Sequence, residues 1–257
     1  MSKKLENVKG IYLEGIKEGK VREAVTKYTG ERYTQHSTGV RDGVEGFVEF
    51  FMPFIERNPQ RDIIIERALV DGQYVFVHAY QSLNNGEAQW ITTDFFDTNK
   101  KDKIIEHWDV IGEYQKQTPS GHTSFDGETE IMDMDKTERN KNIVRRFMEE
   151  VRICNRLENI ETYISSDSYI EHNKDAKDGI VNFKKKMMQV VDIIKYKDLF
   201  LLVGQGNFVA TLSRAYRNVE ELAQVDVFRL EDDFIVEHWD NCEMVAPVDK
   251  WRNSGKF

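Results

Sequence analysis

Three side chains in two neighbouring segments of alternating character could together move a proton. His78 and Tyr80 lie two residues apart in one segment, and Asp94 lies in the next. Every second side chain of a strand shares a face, so the imidazole and the phenol share one face. The carboxylate shares its face with three further side chains, Trp90, Thr92 and Phe96. If both faces line one cavity, burial would raise the pKa of Asp94 toward that of a working base.

Such a set suits proton abstraction from a carbon next to a carbonyl group. Asp94 would be the base, and His78, Tyr80 or His36 would donate a hydrogen bond to the enolate oxygen. The chemistry needs a carboxylate beside hydrogen-bond donors in an apolar site. It therefore predicts a cofactor-free reaction on a small, largely apolar carbonyl compound.

The chain carries its motifs twice. Tyr33-Thr-Gln-His36 recurs 136 residues later as Tyr169-Ile-Glu-His172. Each copy of this motif is followed by an Asp-Gly pair and then by a Phe. Internal repetition of this kind indicates a duplicated structural unit.

The second half of the repeat shows the same duplication at a slightly shorter spacing. Asp94-Phe-Phe returns as Asp226-Val-Phe, and the tetrapeptide Glu-His-Trp-Asp that ends at Asp109 returns unchanged, ending at Asp240. Small deletions in loops explain the shorter spacing. We predict two domains, 1–115 and 137–257, joined by a linker at 116–136 that is rich in Gly, Ser, Thr and acidic residues.

Within each copy the hydrophobic period changes from helical to extended. The predicted helices of the second copy are Glu138 to Ile153, Leu157 to Ile164 and Ile180 to Val190. Four extended segments follow the helices in each copy, separated by turns such as Asp71-Gly72. Helices that precede strands, rather than alternate with them, predict the α+β class with a mainly antiparallel sheet of four or more strands.

The order of these motifs resembles the SnoaL-like polyketide cyclase family of the nuclear transport factor 2-like superfamily. The resemblance covers nearly all of both halves and implies two cones, each with a curved sheet wrapped around helices to form a cavity. In the polyketide cyclases of this family a strand Asp acts as the base in an aldol closure. Asp94 and Asp226 are the matching positions here.

From the motifs and the resemblance together we predict a set of site residues. The candidate catalytic residues are Asp94, His78, His36, Asp226 and His172. The candidate substrate-binding residues are Tyr33, Tyr80, Trp90, Phe96, Trp108, Tyr169 and Trp239.

The Glu-His-Trp-Asp strand poses a question of parity. Trp108 faces one way, whereas His107 and Asp109 face the other, so only one set can line a cavity. Cross-strand packing and charge pairing are favoured over direct catalysis for this motif. Asp109 and Asp240 are therefore weaker candidates than Asp94 and Asp226.

The two copies differ at the positions of the expected donors. His78 aligns with Thr211 and Tyr80 aligns with Ser213. The second copy could bind a different ligand, bind none, or serve only to support the first. Apolar runs such as Ile63-Ile64-Ile65 predict sheets buried on both faces, as in an intramolecular pseudo-dimer of the two domains.

The composition of the chain indicates which classes of partner and which cellular location to expect. The net charge of −9 disfavours nucleic acid. No segment has the roughly 20 apolar residues of a membrane span, and the polar N-terminus is unlike a secretory signal, so we expect a cytoplasmic protein. Two cysteines and the histidine spacing predict neither a disulfide framework nor a metal site. Two functions remain open, a cyclase-, isomerase- or dehydratase-like enzyme and a non-catalytic module that binds a small molecule or a protein.

Overall fold

The computed structural model describes residues 2–166, 168–189 and 193–257. The chain forms two compact units, one made of Met1–Glu113 with Val245–Phe257 and the other of Tyr114–Met244. The boundaries of these units differ from those of the predicted domains at both ends of the second copy. The C-terminal tail belongs to the first unit, and residues 114–136 belong to the second. The internal pseudo-dimer stays a prediction.

Unit 1 places its helices before most of its strands. Its elements are α1 (Lys3–Gly10), a π-helical turn (Ile11–Lys17), α2 (Val21–Tyr28), β1 (Thr29–Gln35), α3 (Gly43–Arg57), β2 (Arg61–Asp71), β3 (Tyr74–Leu83), a 3-10 turn (Asn84–Gly86), β4 (Ala88–Thr98) and β5 (Ile104–Glu113). A last 3-10 turn, Val248–Lys250, lies in the tail. The strand order is β1-β5-β4-β3-β2, a meander with one added strand.

Unit 2 repeats this order. It contains a 3-10 turn (Met134–Lys136), α4 (Thr137–Phe147), a π-helical turn (Met148–Ile153), a 3-10 helix (Leu157–Thr162), β6 (Ile170–Glu171), α5 (Ile180–Met187), β7 (Ile194–Gln205), β8 (Phe208–Arg217), β9 (Glu220–Glu231) and β10 (Phe234–Met244). Its strand order is β6-β10-β9-β8-β7. The α+β class predicted from the sequence is confirmed. Val190, the predicted end of one helix, lies outside the described residues.

The fifth strand of each sheet comes from the Tyr-x-x-His motif. β1 and β6 pair in parallel with β5 and β10, which carry the Glu-His-Trp-Asp motif. The Asp-Gly pair explains how the chain leaves this strand. Asp42 accepts a hydrogen bond from the backbone N–H of Gln35, and Gly43 begins α3 with φ at +79°, a conformation that favours glycine. Asp178 and Gly179 repeat the arrangement.

The core of each unit lies between its helices and one face of its sheet. In unit 1 it joins Val8, Tyr12 and Val25 of the helical layer to Val77 and Phe96 of the sheet. Each buried side chain of this size stabilises the fold by roughly 1.5–3 kcal/mol. In the described part of the chain, no helix is long and apolar enough to cross a membrane.

Candidate functional site

Unit 1 has a cavity of about 380 Å³ between α3 and the face of its sheet that carries Asp94. Phe47, Phe50, Phe51 and Phe54 of α3 form one wall. The side chains of Phe50, Trp90 and Ile111 are about 40% exposed, so this wall and the sheet meet at an opening to solvent. A cavity of this size and lining suits a small, largely apolar molecule.

Three ionisable side chains on adjacent strands line this apolar cavity. They are Asp94 of β4 together with His107 and Asp109 of β5. Asp94 lies directly opposite Asp109 in the antiparallel register, and His107 lies opposite Phe96. Directly opposite residues share a face. The register therefore brings both carboxylates and the imidazole together.

A chain of hydrogen bonds orients His107. Its ring stacks on Phe96 with centroids 4.5 Å apart, and its Nδ1 lies 3.0 Å from Oε1 of Gln35. Gln35 donates its amide N–H to the hydroxyl of Tyr33, so Oε1 is the acceptor for an N–H at Nδ1 of His107. The other ring nitrogen, Nε2, faces Oδ1 of Asp94 at 3.8 Å. The hydrogen bond at Nδ1 therefore turns Nε2 toward the Asp94 carboxylate.

Burial sets the acidity of Asp94. Desolvation in the cavity raises the pKa of Asp94 to about 6, against the lowering effect of His107. The Asp109 carboxylate raises this pKa further, and Lys256 opposes that rise. A carboxylate with this pKa is mostly ionised near neutral pH and is a stronger base than an exposed one.

This raised pKa predicts a pH-dependent stability that Asp94→Asn removes. The folded state holds the Asp94 proton more tightly than the unfolded state does, so Asp94 costs stability as pH rises from about 4 to about 6. A shift of about two pKa units corresponds to about 3 kcal/mol. The unfolding free energy of D94N minus that of wild type should rise by up to this amount between pH 4 and pH 7.5 in urea titrations. A difference independent of pH would contradict the buried, raised carboxyl.

Trp90, Phe96 and Asp94 line the cavity as expected, and Asp109 lines it too. His36 and Trp108 do not line it. Their rings stack on each other at 4.5 Å, and Nδ1 of His36 donates to the carbonyl oxygen of Gly255 in the tail. The pairing of Asp94 with Asp109 places the odd-numbered residues of β5 inside. Trp108 thus lies on the other face, which answers the question of parity.

His78 and Tyr80 also lie off the cavity, which corrects the expectation that they face Asp94. Val77, not His78, is directly opposite Asp94 in the register of β3 and β4. His78 accepts a hydrogen bond from Arg67 on the other face, and the Tyr80 hydroxyl accepts one from Gln89. Side chains alternate along each strand as predicted, but the pairing between β3 and β4 decides which side chains face the cavity.

Tyr33 is buried beside the cavity rather than in its lining. Its ring packs on Phe47, and its hydroxyl accepts the hydrogen bond of Gln35. The tyrosine therefore supports the imidazole through Gln35. Sequence reasoning missed Gln35 and His107 as site residues, although both stand inside the repeated motifs that it singled out.

Unit 2 has a charged network at the corresponding positions. His238 lies between two buried carboxylates, with Nδ1 at 2.8 Å from Glu171 and Nε2 at 3.0 Å from Asp226. Although burial alone would lower it, these carboxylates raise the pKa of His238 to about 10. Unit 2 has the Glu171 carboxylate where unit 1 has the neutral amide of Gln35, so the imidazole of unit 2 contacts a second anion.

Arg152 occupies the interior of unit 2. Its guanidinium lies 4.7 Å from the centre of the Phe183 ring and 5.2 Å from that of Tyr196, with its Nη2 atom 3.6 Å from Asp226. The π-helical turns of the two units align at the repeat spacing of 136. The backbone N–H of Glu18 donates a hydrogen bond to the carbonyl of Leu13, and that of Cys154 donates the equivalent one to Glu149. Arg152 therefore takes the position of Ile16, a cavity-lining residue of unit 1.

The remaining predicted residues of unit 2 are held by neighbours within that unit. Tyr169 donates its hydroxyl hydrogen to Glu171, and Asp240 accepts hydrogen bonds from Asn173 and Gln224. Burial raises the pKa of Asp240. His172 stacks on Trp239 and contacts Glu237 at 3.0 Å. This stacked pair matches His36 and Trp108 of unit 1.

In the described residues, no group of three or more His, Cys, Asp or Glu side chains is placed to hold a metal ion.

Neither a protein-family model nor a curated protein matches the sequence. Solved structures do match. A proposed ketosteroid isomerase from Kribbella flavida has a TM-score of 0.39 and 12% identity, covering 44% of this chain and 83% of its own. IdmH, a proposed polyketide cyclase from Streptomyces antibioticus, has a TM-score of 0.38 and 14% identity, covering 43% and 92%.

A proposed SnoaL-like polyketide cyclase from Jannaschia sp. CCS1 has a TM-score of 0.37 and 18% identity, covering 42% of this chain and 84% of its own. The matched structures thus include the family that the repeated motifs resemble. Each of these three matches covers less than half of this chain.

Proposed function

We propose that unit 1 binds a small, largely apolar carbonyl compound and transfers a proton at the carbon next to the carbonyl group, without a cofactor. The observation that carries this proposal is the Asp94–His107 pair on the wall of an apolar cavity open to solvent. An aldol cyclisation, a double-bond shift next to a carbonyl group and an elimination of water through an enolate share this first step.

Asp94 and His107 have different roles in the proposed proton transfer. The Asp94 carboxylate removes a proton from carbon, and the electron pair of that C–H bond forms the enolate. The step requires a hydrogen on Nε2 of His107, which then donates to the enolate oxygen. The aromatic wall of α3 gives the cavity an apolar lining, which favours an apolar substrate.

A non-catalytic binding module is the alternative. The observation in its favour is unit 2, where the same fold holds the equivalent Asp and His in fixed ion pairs. A comparison of wild type with D94N separates the two functions, because an enzyme would convert the ligand in wild type and not in D94N, whereas a binding module would leave it chemically unaltered in both.

Ile16→Arg tests whether the cavity is the binding site. This substitution places in unit 1 the guanidinium that unit 2 has at Arg152, and we expect at least tenfold weaker binding because the side chain fills the cavity. Ligands come from native mass spectrometry of the purified protein and a thermal-shift screen of aromatic carbonyl compounds. Leu13→Arg is the control, since Leu13 is exposed on the same helical turn. Equal binding by I16R and wild type would place the ligand elsewhere.

A further inference from the structure

The C-terminal tail, residues 245–257, braces the cavity wall of unit 1. Asn253 donates its amide hydrogens to the backbone oxygens of Ser37 and Val40, at 2.6 and 2.8 Å. The backbone N–H of Arg252 donates to the carbonyl of Thr38 between them. Ser37 and Val40 line the cavity. The tail therefore holds a segment of the candidate site.

The end of the tail is directed inward by His36 and Gly255. His36 donates its Nδ1 hydrogen to the Gly255 carbonyl at 2.8 Å. Gly255 has φ at +105°, and a Cβ atom there would lie 2.3 Å from the Trp251 ring. Only glycine satisfies both conditions. The next residue, Lys256, is thereby brought to the buried side.

Lys256 ends at Asp109. Its side chain is fully buried, and its Nζ atom donates to the backbone oxygen of Asp109 at 2.6 Å and to Oδ1 of the carboxylate at 3.0 Å. A buried ammonium needs a charged partner, because an isolated one would be strongly disfavoured. The contact joins the last residues of the chain to a side chain that lines the cavity.

We propose that Lys256 is a positioning residue of the candidate site, which holds Asp109 as a paired anion and leaves Asp94 as the carboxylate that exchanges protons in the cavity. The role of Asp94 rests on the function proposed above. The pairing of Lys256 with Asp109 does not.

The charges around Asp109 support this division. His107 on its own strand, Asp94 on β4 and Lys256 on the tail are the charged groups that act on it, with Ser37 and the Tyr33 hydroxyl as polar neighbours. Burial would raise the pKa of Asp109, but Lys256 and His107 together hold it below its usual value. Without the ammonium, two opposite carboxylates would compete for one proton.

The test is a titration of the ligand-free protein by NMR with ¹³C-carboxyl-labelled aspartate, with signals assigned through D94N and D109N. In Lys256→Met we expect the pKa of Asp109 to rise by at least about one unit, a tenfold change in proton affinity. Lys256→Arg keeps the charge and should keep the titration. Lys250→Met, exposed on the same tail, is the matched control.

A second comparison covers the case in which K256M releases the tail. In a D109N background the Lys256→Met change should shift the Asp94 titration less than it does in wild type, because only the direct effect of the ammonium on Asp94 remains and its effect through Asp109 is removed. An unshifted Asp109 in K256M, or an equal Asp94 shift in both backgrounds, would overturn the inference. No substrate is needed, so failure here is distinguishable from failure of the proposed reaction.

Discussion

Asp94→Asn is expected to lower kcat by about two to four orders of magnitude for any substrate that the cavity turns over. An amide cannot accept the proton from carbon, whereas it fills nearly the same volume as the carboxyl group. We therefore expect the dissociation constant of a neutral ligand to change by only a few-fold. Stopped-assay kinetics and isothermal titration calorimetry on the same protein separate the two effects.

Asp97→Asn is the matched control for this experiment. Asp97 is also buried on β4, but it lies on the opposite face from Asp94 by strand alternation. It should keep kcat within a few-fold of wild type. If D94N turned over an identified substrate at the wild-type rate, Asp94 would have no part in the chemistry. Binding without turnover in either protein would establish the binding module instead.

Arg152→Met is expected to destabilise unit 2 by about 3–5 kcal/mol, the usual cost of removing one partner of a buried ion pair. Its side chain is one-tenth exposed and Asp226 is fully buried. Methionine fills much of the volume of the arginine side chain. It carries no charge, so the carboxylates of Asp226 and Glu171 would have His238 as the cation that remains between them. Hydrogen exchange of peptides from β8 to β10, followed in increasing urea, measures the loss within this unit.

The control for Arg152 is Arg146→Met on the preceding helix. Arg146 is mostly exposed and pairs with Glu150 at 3.6 Å, so its loss should cost no more than about 1 kcal/mol. The double variant R152M/D226N should regain part of the stability, because it removes the uncompensated charge as well. Equal effects of R152M and R146M would show that the network does not stabilise unit 2.

The sequence alone contains a sign that Arg152 differs from its counterpart in the first copy. The repeat spacing aligns it with Ile16, and an arginine opposite an isoleucine in a duplicated helix signals a different interior. The signal could not be used without the contacts, because most arginines on helices extend to solvent. Only the structure shows the guanidinium among the rings of Phe147, Phe183 and Tyr196.

The sequence by itself determined the duplication, the α+β class, and the four-stranded meander that follows the helices in each copy. These features are local or repetitive, so that turn residues, hydrophobic period and identical motifs are enough to recognise them. It also identified Trp90 and Phe96 on the face of Asp94, because alternation along one strand is a property of the backbone.

Tertiary structure alone decided which residues meet Asp94. His107 and Asp109 rather than His78 and Tyr80 share its cavity, because the register between strands is set by the packing of the whole sheet. It also brought Lys256 to Asp109, a contact between residues 147 positions apart. Such a contact leaves no periodic trace in the sequence, since chain folding and burial place its two ends together.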